Sequence, residues 1–338
     1  IILMQSTAIV LLNYNGLELL KKFLPHAIKN SNNASIFIID NGSTDSSISW
    51  VKNTCPEIEC IILERNKGFA GGYNEGLKQI NAEIYALVNT DLELTPNWLP
   101  PLLSRFESNP KTVVVQPHIL DYNKRNYFEY AGAAGGYIDA LGIPFCRGRL
   151  INNCEIDNGQ YNLTVPIFWA TGACFVIRSK TFWEMGGFDT NFFAHQEEID
   201  LCWRIFNSGY LIESIGLSKV FHVGGGTLKF SSKKIYLNHR NSLLMCAKNL
   251  PKKKLYSIML KKLFLDGLIG IAYSLKLNFK ATYAIIRAHF SFYKMFRTIY
   301  NLRKDKKQKG KYFLRKNIFI DYFIFRRLNF RDLDKNYK

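Results

Sequence analysis

Short apolar runs recur through the first 120 residues, and most end in a polar cluster: AIVLL (8–12), SIFIID (35–40), CIILE (60–64), IYALV (84–88) and VVVQPHI (113–119). Their length and richness in Ile, Val and Leu predict strands. The stretches between them predict helices beginning near Gly16, Thr44, Gly71 and Pro96. This alternation implies an α/β fold built on a doubly wound, mostly parallel sheet. Ligands of such sheets bind beyond the carboxyl ends of the strands, so NYNG (13–16), DNGSTD (40–45), ERNKGFAGG (64–72) and NTD (89–91) are expected to line one crevice.

From Tyr127 to Pro166 the pattern breaks into Gly-, Asn- and aromatic-rich sequence, which predicts loops or a small antiparallel insert. PIFWATGACFVIRS (166–179) reads as a buried strand returning to the core. Residues 197–208 predict a short amphipathic helix with Ile199, Cys202, Trp203 and Phe206 on its apolar side and Gly209 as C-cap. YLIESI and KVFHV follow as strands. Beyond Lys234 helical patterns dominate, with Phe290, Phe292, Tyr293 and Phe296 expected at the surface, and no internal repeat is present.

Charge divides the chain in two. Residues 1–250 carry 22 Lys/Arg and 22 Asp/Glu, while residues 251–338 carry 23 and 5, so the whole excess of +18 sits in the last 88 residues. A neutral body joined to a basic, aromatic tail is the pattern of a protein whose tail meets anionic lipid or nucleic acid, against the plainer reading of a solvated helical face. The apolar stretches of the tail, such as LFLDGLIGIAYSLKL (263–277), fall short of the ~20 residues that cross a bilayer, so membrane contact without crossing is expected. The start of the chain shows neither a basic n-region nor a small-residue cleavage site. Seven scattered cysteines with no C-x-x-C pair are expected to be reduced thiols of a cytosolic chain.

Each polar cluster has a chemical and a structural reading. Asp40 in DNGSTD could hold a base or ribose, or close an Asx turn before a helix capped by Thr44 or Asp45. NKGFAGGYNEG (66–76) allows close backbone approach to an anion at a helix N-terminus, or a tight turn; it is neither a Walker A loop nor a Rossmann fingerprint. Asp91 closes a buried strand where a divalent cation could bridge it to phosphate, with Asn89 and Glu93 nearby, although helix capping would also explain it. Glu197, Glu198 and Asp200 suit a helix start, and Asp200 with Arg204 makes an i,i+4 pair. Crowded acids also raise one another's pKa, as a general base near neutral pH requires. His222 is a metal ligand, a phosphate donor or a structural strand-end histidine.

In this order the clusters resemble the inverting family 2 glycosyltransferases of the GT-A fold, particularly the rhamnosyltransferase-like branch of bacterial surface polysaccharide synthesis. The resemblance covers roughly residues 7–245. It implies that residues 1–245 form the GT-A domain, with 1–120 binding the nucleotide sugar and 121–245 supplying acceptor and catalytic groups, and that 246–338 form a basic helical membrane-surface or assembly region. It implies that Asp40, with Asn13 and Ser43, holds the nucleotide, and that Asn66 and Gly72 lie along the nucleotide–sugar crevice. NTDLE corresponds to the family's metal motif, making Asp91 the principal ligand of Mn²⁺ or Mg²⁺, with Asn89 standing where an acid is common. HQEEIDLCWR corresponds to the acid pair, with Glu198 as base and Glu197 its competitor. FHVGGGT gives His222 a role at the metal and diphosphate. Trp169, Thr171 and Gly172 match the acceptor side, and Gly186-Gly187-Phe188-Asp189 a structural part of the pattern.

The implied reaction moves a sugar, rhamnose among the candidates, from a nucleoside diphosphate sugar to a hydroxyl of a lipid-linked glycan acceptor. The implied location is cytoplasmic, peripheral on the inner face of the cell membrane, against anionic lipid. Self-association through the helical tail stays open. A nucleotidyltransferase would need a glycine-rich basic signature at the first strand–helix turn, which NYNGLELL does not offer. A nucleic-acid binder would leave the neutral body and its acid cluster without a purpose, so no nucleic-acid partner is expected.

Overall fold

The computed structural model describes residues 6–224, 231–303 and 311–333; residues 225–227 of the FHVGGGT segment lie outside them. Strands β1 (Thr7–Asn13), β2 (Ser35–Asp40), β3 (Glu59–Ile62) and β4 (Ile84–Asn89) alternate with helices α1 (Leu17–Lys29), α2 (Ser47–Thr54) and α3 (Gly68–Leu77). Along β1, Ala8 and Val10 enter one core layer while Ile9 and Leu11 enter the other. Along β4, Tyr85 and Leu87 are likewise separated from Ile84, Ala86 and Val88. A strand covered on both faces loses its polar alternation, which is why these segments read as unbroken apolar runs.

Short β5 (Leu92–Leu94), α4 (Pro100–Ser108) and β6 (Thr112–Asp121) follow. Two helix starts differ from expectation. α3 begins at Gly68 rather than near Gly71, because Gly68 itself makes the turn at φ +72° and a Cβ there would meet Phe193. α4 begins at Pro100 rather than near Pro96, with proline in its first turn, where a missing N–H costs nothing.

The expected insert is a four-stranded antiparallel sheet of β7 (Gly136–Ile138), β8 (Pro144–Cys146), β9 (Arg149–Leu150) and β10 (Asn153–Cys154). The run 166–179, expected as one strand, is not one. Its first residue ends β11 (Val165–Pro166) on one edge of the main sheet, and only Cys174–Arg178 forms β12. Between them a buried turn bridges Trp169 to Gly136 of the small sheet. An apolar run reports burial, and burial does not require an extended backbone.

After α5 (Ser179–Glu184) and α6 (Glu197–Ser208), YLIESI and KVFHV merge into one long strand, β13 (Leu211–His222), whose register shifts between Ile215 and Lys219 as in a bulge. The main sheet runs β11-β13-β6-β12-β4-β1-β2-β3, with β5 paired to β13. β12 is antiparallel to both β4 and β6, while β1, β2, β3, β4, β6 and β13 share one direction. Asn13, Asp40, Asn89, Asp121 and His222 therefore end their strands on one edge. Arriving from the opposite direction, β12 follows the 169–173 turn, which lies at that same edge.

The C-terminal helices are α7 (Ser232–Asn249), the last helix of the charge-neutral body, and α8 (Lys252–Leu275) and α9 (Phe279–Asn301) of the basic tail, so the expected division at 245/246 falls within α7. Leu255, Ile258, Met259, Phe292 and Ile299 join the same core cluster as the body. Phe292, expected at the surface, is buried there, and Phe296 is partly buried against it; Phe290 and Tyr293 are exposed. Spacing of 3.6 residues per turn puts Phe292 on the inward face with Ala281, Ala284, Ile285 and Ala288. Asp266 of α8 pins the three helices, meeting His239 of α7 at 2.9 Å and His289 of α9 at 3.0 Å. Burial would raise its pKa, but the two imidazoles hold it at about 2. All seven cysteines are free thiols. Among the described residues no helix is long and apolar enough to cross a membrane.

Candidate active site

At the β1–β2 end of the edge, Asn13 and Asp40 are paired in register and almost wholly buried. The Asn13 amide donates to Asp40 at 3.0 Å, Ser43 Oγ at 3.1 Å and Ser47 Oγ at 2.8 Å, and Ser43 N–H donates to the other Asp40 oxygen at 3.1 Å. Asn15 at φ +51° accepts from Thr44 N–H, and Asp45 receives Ser47 and Leu17 rather than capping α2 in the expected way. Asn41 is tied to the next loop, accepting from Lys67 N–H at 2.9 Å and donating to Asn66 and to the Gly68 carbonyl. Asn66 in turn accepts from Gly68 N–H. The result is a rigid polar floor.

The N-terminus of α3, expected to present free N–H groups, is filled from within: Phe69 N–H and Ala70 N–H both donate to the Phe193 carbonyl. Gly72 is buried against Leu12 and Asn41, where a Cβ would come within 3.0 Å of the Asn41 amide. Its contribution is to let α3 close on Asn41.

Asp91 follows β4, and the antiparallel pairing of Leu92 with His222 brings the two side chains together. His222 Nε2 lies 3.1 Å from Asp91 Oδ1, and its Nδ1 lies 3.5 Å from Glu129 Oε2. All three are buried. Burial would lower the imidazole pKa, but these two carboxylates raise it to about 10. Asn89, beside Asp91, is half-buried and its N–H donates to Ala173. Glu93 turns aside to Arg125 at 2.6 Å.

The acid cluster opens α6 under strain. His195 and Gln196 have φ of +71° and +70°, outside the range that side chains favour. His195, Gln196, Glu197 and Glu198 each carry a buried polar atom with no hydrogen-bond partner among the described residues. Asn241 of α7 holds this loop by donating to the carbonyls of Phe192, Ala194 and His195. Glu197 is buried, and desolvation, then the neighbouring Glu198, push its carboxyl well above the usual range. Glu198 is partly accessible, and desolvation raises it to about 7. The third acid is different: Asp200 meets Arg204 at 2.9 Å, as the i,i+4 spacing predicts, and also Lys248 at 2.9 Å and Asn249 at 2.7 Å. Although buried, it is held below its ordinary value by those cations.

The 169–173 turn sits between the two groups of acids. Trp169 is a wedge, its ring against Gly136 and its Nε1–H donated to Tyr137. Thr171 serves the turn itself: its hydroxyl donates to the Ala131 carbonyl and accepts from Ala173 N–H, and its own N–H goes to Gln116. Gly172 faces the crevice: a Cβ there would touch Phe69 at 3.2 Å and the Glu198 carboxyl carbon at 3.9 Å.

Residues 8–186 match the family model described as Glycosyl transferase family 2. The chain belongs to that family. Curated relatives of this family 2 glycosyltransferase include the low-salt glycan biosynthesis hexosyltransferase Agl10 of Haloferax volcanii, 24% identical over 72% of this chain and 76% of its own length. Another is the N-acetylglucosaminyl-diphospho-decaprenol L-rhamnosyltransferase of Mycobacterium tuberculosis, 22% identical over 63% of this chain and 75% of its own. Among solved structures, GalNAc-T7 with UDP, GalNAc and Mn²⁺ has a TM-score of 0.58 at 16% identity; it aligns with 73% of this chain, which spans 48% of that one. The S. aureus TarS fragment 1–349 in complex with UDP-GlcNAc has a TM-score of 0.56 at 14% identity, covering 88% of this chain and 84% of its own. The fold is thus of the GT-A type, and the enzyme is a glycosyltransferase that uses nucleotide sugars.

The donor set at this edge fits a divalent cation. Asp91 and His222 set a carboxylate oxygen and an imidazole nitrogen 3.1 Å apart, and a divalent cation held there would displace the imidazole proton that Asp91 and Glu129 otherwise retain. Among the described residues no three His, Cys, Asp or Glu form a closed cage. A pair suffices where substrate phosphate and water complete the shell. Sequence reasoning alone misses Asn41, Glu129 and Asn241. Asn241 has a readable signal, an amide within the apolar pattern of α7; Glu129 has none, because only the fold brings the irregular insert against His222.

Proposed function

We propose that the chain transfers a hexosyl or rhamnosyl unit from a nucleoside diphosphate sugar to a hydroxyl of a lipid-linked glycan acceptor, by a single displacement with inversion, in cell-surface polysaccharide synthesis. The observation that carries this reading is Glu198, a carboxyl raised to about 7, partly accessible and facing Gly172 across the crevice from the strand edge that bears Asp91 and His222. Glu198 takes the proton of the acceptor hydroxyl as its oxygen bonds to the anomeric carbon; the bond from that carbon to the diphosphate oxygen breaks on the opposite face. Glu197 is the poorer base because it is enclosed.

Asn13, Asp40, Ser43 and Asn66 form the floor for base and ribose, with Gly72 setting the closure of α3 behind them. Asp91 and His222, with Asn89 beside them, would hold Mn²⁺ or Mg²⁺, which supplies positive charge for the departing diphosphate. Trp169 and Thr171 fix the turn from which Gly172 faces the acceptor. Residues 1–245 carry this chemistry, 246–338 serve the membrane side, and the enzyme works on the inner face of the cell membrane. The mycobacterial relative's lipid-linked acceptor and the Mn²⁺ bound by GalNAc-T7 support these assignments.

The test is calorimetric titration of the full chain with UDP and dTDP, with and without Mn²⁺. Mn²⁺-dependent binding of one nucleotide, weakened at least about tenfold in Asp91→Ala, is expected. A folded chain that binds neither nucleotide would overturn the reading.

A further inference from the structure

The tail helices are apolar on two faces, and the protein covers only one. On α8 the inward face carries Leu255, Ile258 and Met259, yet Leu260, Phe264, Leu268, Ile271 and Leu275 are exposed. On α9 the inward face carries Ala281, Ile285 and Phe292, yet Phe279, Tyr283, Ile286 and Phe290 are exposed. At the connection between them Leu275 is 80%, Leu277 78% and Phe279 63% exposed. A helix apolar all round needs a second apolar medium, and exposed patches of this extent mark an interaction site.

Charge identifies the medium. Residues 251–303 contain eleven Lys/Arg and a single acid, Asp266, which is buried between His239 and His289. The outward surface of α8 and α9 therefore carries no negative side chain. Lys280, Arg287 and Lys294, seven residues apart, form an exposed basic row beside the apolar stripe of α9; exposed Lys276 lies within the 275–279 tip, long enough to reach back to the headgroups, and Lys280 directly follows it. Apolar side chains edged by cations fit an anionic bilayer surface, where the chains enter the acyl boundary and the cations meet headgroup phosphates.

We infer that the α8–α9 hairpin is the membrane-docking element of this enzyme, lying against anionic lipid with its tip, Leu275 to Phe279, inserted below the headgroups. This deepens, and rests on, the reading of a lipid-linked acceptor. The Asp266 clamp and the shared core fix the hairpin to the catalytic body, so docking orients the crevice relative to the bilayer.

The experiment is flotation of the full chain with phosphatidylglycerol-containing vesicles and with pure phosphatidylcholine vesicles, at low and at roughly 0.5 M salt. Binding to the anionic vesicles that weakens with salt is expected, with a loss of about tenfold or more in Leu275→Asp/Leu277→Asp. Because no tryptophan lies beyond Trp203, Phe279→Trp provides a second readout: its added fluorescence is quenched by brominated lipid if the tip inserts. Nucleotide titration of the same variants separates the two readings, since tip substitutions leave UDP or dTDP binding unchanged. Three results would overturn the inference: no flotation at low salt, no quenching of the fluorescence added by Phe279→Trp, or a wild-type dimer that Leu275→Asp dissociates, the last by making a second copy the occupant.

Discussion

Two buried acid sites in this molecule meet opposite fates. In the tail, Asp266 is clasped by two imidazoles and held at about 2. At the start of α6, Glu197 and Glu198 each keep a buried oxygen without a partner among the described residues, and Glu198 rises to about 7. Both are desolvated, so burial alone does not separate them; the presence or absence of a hydrogen-bonding partner for the carboxylate does. Asp200, only two residues beyond Glu198, shows the same rule within one helix, since Arg204 and Lys248 keep it ionised. A satisfied acid contributes stability, whereas an unsatisfied one costs stability and gains proton affinity, which is the state a base requires.

The sharpest way to break this contrast is Glu198→Gln. Turnover of the donor is expected to fall by ~10²–10⁴-fold, with nucleotide affinity nearly intact. In the wild type, kcat should rise with pH and level off above about 7, as the carboxyl raised by desolvation becomes ionised. That limb should disappear from whatever activity the variant retains. A variant with wild-type turnover would remove Glu198 from the role of base.

Asp266→Asn probes the opposite case and should act on stability. The carboxyl moves from an ordinary 3.8 to about 2 on folding, a stabilisation of about 2 kcal/mol at neutral pH. Because the folded value is the lower one, that stability is present above about pH 4 and is lost as pH falls toward 2. Denaturant unfolding of the full chain should show a loss of this size for the variant at pH 7, with nucleotide binding unchanged. An undiminished unfolding midpoint would mean that the clamp does not tie the tail to the body.

Much of this arrangement is legible in the residues alone. The apolar runs mark the parallel strands, and their ends mark Asn13, Asp40 and Asp91, because a polar residue closing a buried strand is conspicuous. The acid cluster is legible too, but the fates of its members are not. Asp200 is separable through Arg204 four residues on, whereas Glu197 and Glu198 differ only in which of them the fold encloses. Two expectations fail for a common reason. Those for the 166–179 run and for Phe292 rest on local apolarity, and local apolarity does not say which neighbour supplies the cover. Glu129 is invisible because its partner His222 lies in another strand and meets it only after the insert packs.

The smallest expected effect sharpens the comparison from the side of stability. Glu197 is buried, and desolvation, followed by its neighbour Glu198, pushes its carboxyl well above the usual 4.5. Below about pH 4 both folded and unfolded chains hold this proton and no penalty arises. Above that value the unfolded chain releases it while the folded chain retains it, so stability declines with rising pH until the folded value is reached. Glu197→Gln never ionises and keeps the shape, so it should raise the unfolding free energy at pH 8, with the gain fading toward pH 4. Its effect on turnover should be far smaller than that of Glu198→Gln. A variant that instead lost turnover by more than about a hundredfold and gained no stability would exchange the two roles, making the enclosed acid the base and the accessible one its neighbour.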